Sequence, residues 1–517
     1  MTPAPLDKHA LVLHPRDSVA VLKTSLPQGF LLQSEHGPIR LRQEIPAGHK
    51  VALHPIGDDQ PVLKYGQIIG FAHGPIHPGD HVHVHNLKVR DFHRAFRVGE
   101  GTRPVDLLPE PERRQFLGFS RAAGRAGTRN YVAIISVVNC SATVARSVQQ
   151  RFQPEQLARD FPNVDGVLAF THKTGCGIQP GVPQDTVERV FAGLARHPNI
   201  SACLCLGLGC EVSHLRHLRE TFHFHPGPAE TGGPLFMEIQ SLGGTRKTVQ
   251  AASEAVLRLL RCANGMKRTP QPLRHLALAL NCGGSDAHSG ITANPALGVA
   301  VDLLVRHGGT AVLAETPEIY GAEHLLLHRA ASPEIAQQLQ EIIHWWEAHV
   351  RLHGASIDNN PSPGNKDGGL TTIYEKSLGA VAKAGQSPLM AVYRYAEPVQ
   401  HSGLCFMDTP GFDPVSMTGL VAGGCNLGVF TTGRGSVYGC KPAPCLKVAT
   451  NTPLFNWMRD DMDLNAGTIL DGAETVEQVG QRIFERVIAV ASGEKTQSEL
   501  LGMGDEEFAP WVLGPTF

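Results

Sequence analysis

Between residues 11 and 90 the apolar positions come in short bursts, at 18–22, 30–32, 39–41 and 51–53, each bounded by turn-forming residues. Bursts of that length predict β-strands and a small all-β module. At 81–86 the pattern becomes alternation, His-Val-His-Val-His-Asn. On a strand it would set His81, His83 and His85 on one face. A solvated edge and a ligand-holding face fit that alternation equally. Gly48-His49-Lys50 makes a second polar point, at a turn. Residues 90–112 lack periodicity and carry Pro104, Pro109 and Pro111, which reads as a linker. Beyond the linker the pattern changes. Apolar runs at 131–138, 164–170 and 202–208 alternate with helix-like segments such as 143–151. Further runs at 276–280, 311–314 and from 428 alternate with helices expected at 296–305, 334–353 and 475–491. Such alternation predicts parallel sheets with right-handed crossovers. The expected fold class is α/β. A β module spans 1–95 and a linker 96–115, followed by α/β domains at 116–272 and 273–517.

Composition narrows the picture. The 517 residues carry a net charge of -2, with no basic stripe or acidic tail, which argues against nucleic acid and against a polybasic membrane anchor. The first residues lack a charged and then apolar leader, and no apolar run approaches the roughly 20 residues of a membrane span. A soluble cytoplasmic protein is expected. Eleven cysteines, an odd number in a long chain, speak against a disulfide framework and for core packing, metal ligation or catalysis.

Candidate chemistry gathers where apolar runs end. The stretch 276–298, LALALNCGGSDAHSGITANPALG, is an apolar run, a Gly-rich polar turn with Cys282, Ser285 and Asp286, then Asn294 and a helix. α/β proteins build sites at such strand ends. Cys140, Cys176 and Cys210 end earlier runs, and Cys282 either joins them or belongs to another sheet. Cys203 and Cys205 lie inside a run and read as core. Glu211 and Glu315 are further strand-end carboxylates. The string 360–370, NPSPGNKDGGL, reads as a shaped loop without regular structure, holding Asn365 and the loop's one cation, Lys366. Arg434, between glycines at a strand end, is placed to take a carboxylate bidentately.

The pieces CGGSDAHSGITANPALG, ETPEIYGAEHLL, NPSPGNKDGGLTTIYEKSLG, FTTGRGSVYG and NAGTI, with GRAGTRNYV, THKTGCG, GLGCE, LRQEIPAGHKVAL, LKYGQIIGFA and HVHVHN, carry a resemblance over nearly the whole length. The chain resembles the altronate and galactarate dehydratases. That resemblance implies an N-terminal SAF-type domain and dehydration of an aldonate or aldarate to a 2-keto-3-deoxy acid. The usual metal would be iron(II) or manganese(II). HVHVHN and GAEHLL look more like the altronate branch. A related two-subunit enzyme removes sulfite from sulfolactate, so the leaving group stays open.

On this footing roles can be assigned. Lys366 and Arg434 are expected to bind substrate oxygens, beside Ser285, Asp286, Asn294 and Asn365. His172, on a strand-end loop beside Cys176, is either the base that takes the C2 proton or a supporting imidazole. His49 and Lys50 would supply the acid if the β module closes over the pocket. Two metal arrangements remain open: one iron(II) on histidines and carboxylates, with His83 and His85, or an iron–sulfur cluster on Cys140, Cys176, Cys210 and Cys282. The partner expected is a small sugar acid, with self-association left open. The reading of another class is a non-catalytic sugar-acid sensor.

Overall fold

A computed structural model describes residues 3–514 and 516, apart from 36, 91, 93–95, 122 and 123. The short apolar bursts form three small sheets in the N-terminal module. One joins Ala10–Leu11, Val19–Leu22, Lys50–Ala52 and His81–Val82 in antiparallel order. The expected strand over 81–86 stops at Val82. There the Asn86 side chain accepts from His83 N (2.9 Å) and Asn86 N donates to the His83 carbonyl (3.0 Å), which turns the chain before it re-enters a strand at Leu87–Lys88. A turn, not alternation, thus brings the imidazoles together: the His81 ring lies 5.2 Å from His83 and 5.5 Å from His85.

The second unit is a parallel sheet of β1 (Tyr131–Ser136), β2 (Gly166–Phe170), β3 (Ile200–Gly207) and β4 (Leu235–Glu238), in spatial order β2-β1-β3-β4. Helix α1 (Asn139–Gln149) starts directly after β1, before the expected 143. It shares one face of the sheet with α3 (Thr245–Asn264), while α2 (Val182–Ala195) covers the other.

The third unit holds seven parallel strands: β5 (Ala277–Cys282), β6 (Thr310–Leu313), β7 (Leu389–Tyr393), β8 (Gly403–Met407), β9 (Leu427–Thr432), β10 (Cys445–Ala449) and β11 (Leu464–Asn465). Their spatial order is β7-β8-β6-β5-β9-β10-β11. Central β5 is sealed on both faces, as its continuous apolar run requires. Leu278 and Leu280 face α4 (Ala293–Arg306) and α9 (Val476–Ala491); Ala279 faces α8 (Asp413–Ala422) and α2 of the second unit. From β5 the chain builds outward on one side through β6 to β8, then returns to β5's other edge as β9. The strand order therefore reverses between β5 and β9, and in open α/β sheets ligands bind in the crevice at such a switch point.

Two further elements frame this edge. The 360–370 string is not wholly irregular: Ser362 and Asn365 form a reciprocal capping box that starts the short helix α6 (Pro363–Asp367), with Pro at its first position. Helix α7 (Ile373–Val381) follows, buried all round. No helix among the described residues is long and apolar enough to cross a membrane.

Candidate active site

The turn after β5 is held by crowding. A Cβ on Gly283 would stand 2.5 Å from both Asp413 and Phe430, and Gly284, at φ +59°, packs against Thr432 and the Arg434 Cβ. Asp286 is buried beneath. Its Oδ1 accepts from Ser289 N and Oγ (both 2.9 Å) and His288 N (3.1 Å). Its Oδ2 accepts from Thr450 Oγ1 (3.0 Å) and lies 3.5 Å from His288 Nδ1. Burial would raise this carboxyl, but His288 and the hydroxyl donors outweigh it and hold it below its usual range. The other ring nitrogen of His288, Nε2, is buried with no hydrogen-bond partner among the described residues. Arg434, beside Gly284 and Gly368, is exposed, and no carboxylate among the described residues pairs with it.

Deeper in the crevice lies a cluster of buried charge. Cys282 Sγ is 2.8 Å from Lys383 Nζ and 3.5 Å from Glu318 Oε2. Lys383 reaches Glu315 Oε2 at 3.5 Å; Lys376 donates to Glu318 Oε1 and Asn360 Oδ1, both at 2.7 Å. Burial pushes the Cys282 thiol up to about 12, with Lys383 opposing. Burial and the Glu318 charge push Glu315 well above, and Asp413 up to about 6. Glu318 is held below its usual range because Lys376 and Lys383 outweigh its burial. Two acceptors here, Glu315 Oε1 and Asn281 Oδ1, lack partners among the described residues. Leaving a buried acceptor unsatisfied costs about 1–3 kcal/mol, and both atoms are open to accept from a ligand. Cys282, Glu315 and Glu318 place ligand atoms within 4.8 Å of one another, a donor set that fits a divalent transition metal.

The N-terminal module closes the third side. Lys50 donates to the Gly369 carbonyl (2.7 Å) and to Glu375 (2.9 Å); Lys64 donates to the same carboxylate (2.8 Å). The His49 ring shares hydrogen bonds with His81 Nε2 (2.9 Å) and the Asp367 carbonyl (3.2 Å), and His83 Nε2 with the Lys366 carbonyl (3.0 Å). Burial lowers all three imidazoles, His81 to about 3 and His83 to about 4.

The residues singled out from sequence thus separate into groups. Cys282, Ser285, Asp286, Lys366 and Arg434 gather at the switch point, with His49 and His83 docked beside them. Asn365 and Asn294 are tethers: Asn365 donates to the Ser285 carbonyl (2.8 Å), while Asn294 donates to the Gly379 carbonyl (2.9 Å) and accepts from Thr431 (2.7 Å). Lys50 is engaged wholly by Glu375 and Gly369. His172 belongs to the second unit. Its Nε2 meets the Ser136 carbonyl (2.8 Å), its Nδ1 accepts from Thr174 N (3.1 Å), and its ring stacks on Phe191. It is a saturated imidazole. Glu211 folds back onto the amides of residues 208–210. Cys140, Cys176 and Cys210 follow strands of the second sheet, whereas Cys282 ends β5 of the seven-stranded sheet. His288, Lys376, Lys383, Glu318 and Asp413 were not singled out. The signal was an apolar helix, 373–384, carrying three charges, since charges on a helix buried all round must have partners.

Comparison with known proteins agrees with this architecture. Residues 8–90 match the altronate/galactarate dehydratase SAF domain, 118–264 the second domain of D-galactarate dehydratase/altronate hydrolase, and 273–516 the D-galactarate/altronate dehydratase C-terminal domain. The chain is 36% identical to an altronate dehydratase of Bacillus subtilis over 493 residues, covering 95% of this chain and 97% of the relative. It is 35% identical to a galactarate dehydratase (L-threo-forming) of Escherichia coli over 506 residues, 96% and 95% of the two chains. It is 30% identical to the (2R)-sulfolactate sulfo-lyase subunit beta of Chromohalobacter salexigens over 397 residues, 75% and 95% of the two chains. A crevice of buried carboxylates and lysines beneath a free guanidinium, on this three-part scaffold, places the chain in the altronate/galactarate dehydratase family of hydro-lyases.

Proposed function

We propose that the chain dehydrates an aldonate such as altronate, removing the C2 proton and the 3-hydroxyl to leave an enol that tautomerises to a 2-keto-3-deoxy acid. The observation that carries this reading is the layered crevice, with unpaired Arg434 and half-buried Lys366 at the rim and unsatisfied carboxylate chemistry below. Arg434 takes the substrate carboxylate in two parallel hydrogen bonds, and Lys366 takes a polyol oxygen. The C2 proton is very weakly acidic, so its acceptor must be aimed and unencumbered. His288 meets both conditions: Asp286 orients one ring nitrogen and the other has no protein partner. This is the role the sequence offered to His172. Asp413, brought to about 6 beside Gly283, is suited to hold the proton that the departing hydroxyl needs.

Cys282, Glu315 and Glu318 are the residues that would hold iron(II) or manganese(II), the thiol favouring iron. When bound, the ion supplies Lewis-acid stabilisation of the ene-diolate that proton loss creates. Because Cys282 and Glu315 hold protons without it, binding releases them, and metal affinity should rise with pH.

Identities of 36% and 35% to altronate and galactarate dehydratases do not choose between those substrates. The test is turnover of altronate, galactarate and sulfolactate by anaerobic protein supplied with iron(II) or manganese(II), followed by 2-keto acid and sulfite release. The reading expects keto acid from altronate with kcat/KM at least about tenfold above the others. Preference for galactarate would move the substrate to an aldarate, and sulfite release would replace dehydration by desulfonation.

A further inference from the structure

Of the eleven cysteines, Cys140, Cys176 and Cys210 are the exposed ones; seven are buried and Cys262 is intermediate. Free cysteine is among the most buried residue types, so three exposed thiols in one region call for a reason beyond packing. They follow the C-terminal ends of β1, β2 and β3, three adjacent parallel strands. The loops carrying them are stitched together. Asn139 N donates to the Thr174 carbonyl (2.9 Å) and Ser213 N to the Gly175 carbonyl (3.1 Å). Gly175, at φ +99°, sits so close that a Cβ would stand 2.7 Å from the Val138 Cα.

We propose that these three thiolates hold an iron–sulfur cluster of the four-iron type, leaving one iron corner without a protein ligand. One metal ion would need its ligand atoms nearly in contact. Among the described residues only Cys282, Glu315 and Glu318 meet a 4.8 Å limit, so the three thiols do not form a mononuclear site. A cubane gives each thiolate its own iron and separates the sulfurs by about 6 Å, a spacing suited to loops on neighbouring strands. Cys140 is the second residue of the eleven-residue helix α1, so its sulfur sits at a helix N-terminus, a place that suits an anionic cluster. The Gln240 amide donates to Cys210 Sγ (3.4 Å), the kind of hydrogen bond that tunes cluster sulfurs. Beside Cys176 opens a cleft of about 610 Å³, lined by Lys173 and by Arg146 paired with Glu506, which gives solvent or a small ligand access to that side of the thiols.

The site lies at the ends of strands of the second sheet and not of β5 and β9, and its test does not use turnover. Full-length protein, purified anaerobically and reconstituted with iron(II) and sulfide, is analysed for iron, acid-labile sulfide and absorbance near 400 nm. About four sulfides per chain are expected. The Cys140→Ser, Cys176→Ser and Cys210→Ser variants, whose exposed side chains leave the core untouched, should each lose most of that sulfide. Cys282→Ser and Cys262→Ser should keep it. Iron without sulfide, stoichiometric zinc, or sulfide retained by the triple serine variant would each overturn the proposal. Loss of sulfide in Cys282→Ser alone would overturn it too, by moving the cluster to the other sheet.

Discussion

Glu375 and Lys376 are neighbours on α7, yet they enter two different buried clusters, each holding two lysines. Around Glu375 everything is matched. The carboxylate accepts from Lys50, Lys64, and the amide (3.0 Å) and hydroxyl (2.6 Å) of Thr371. Around Lys376 the matching fails. Glu315 is bonded only through Oε2, at 3.4 Å from Cys282 N and 3.5 Å from Lys383, and Oε1 has nothing. The two clusters are similarly buried and each holds two lysines, but they differ in satisfaction. A closed network fastens the β module to the third unit, whereas an open one retains capacity for something that is not protein.

The comparison breaks most visibly at the closed cluster. Glu375→Gln leaves two ammonium groups buried without a counter-charge, for which about 3–5 kcal/mol of destabilisation is expected. Urea unfolding should show the loss, and protease should cut the linker at 90–112 faster as the module undocks. The matching change in the open cluster should behave in the opposite way. Glu315→Gln removes no short hydrogen bond, so stability should move by less than about 1 kcal/mol, while turnover falls about 100-fold and metal content drops. A Glu315→Gln protein as unstable as Glu375→Gln would erase the distinction. Gly433→Ala should come next in size. Its Cβ would overlap the Asp286 carboxylate and push it off His288. A roughly tenfold fall in kcat is expected, with KM little changed. An unchanged kcat would remove His288 from proton transfer.

Much of this scaffold was legible because buried parallel strands announce themselves. The run at 276–280 became Ala277–Cys282, and the helix expected at 475–491 became Val476–Ala491, started by a capping box on Thr475. What escaped was governed by single side chains acting across the chain. Asn86 turned an apparent strand at His83, and Ser362 started a helix in a string rich in Gly and Pro. His172 does lie on a strand-end loop, but sequence cannot tell which sheet a strand will join. Lys376 and Lys383, seven residues apart, share a helical face and look solvent-exposed until the apolar residues around them are read as burial on every side.

The smallest effect concerns the imidazoles that flank the closed cluster. His49, His81 and His83 are lowered by burial, His81 to about 3 and His83 to about 4, against 6.5 when unfolded. A depressed histidine binds more protons unfolded than folded, so its contribution is complete above pH 6.5 and is lost as pH falls towards 4. Glu375 behaves differently, since its two lysines outweigh burial and keep it ionised throughout that window. Mild acid should therefore loosen the module through the imidazoles while the Lys50–Glu375–Lys64 contact persists. Linker proteolysis at pH 5 should be faster than at pH 7.5, by less than Glu375→Gln causes at either pH. In His81→Asn the pH dependence should flatten. If it stays as steep, the acid response belongs to carboxylates elsewhere, and the ring cluster contributes only packing to the closure.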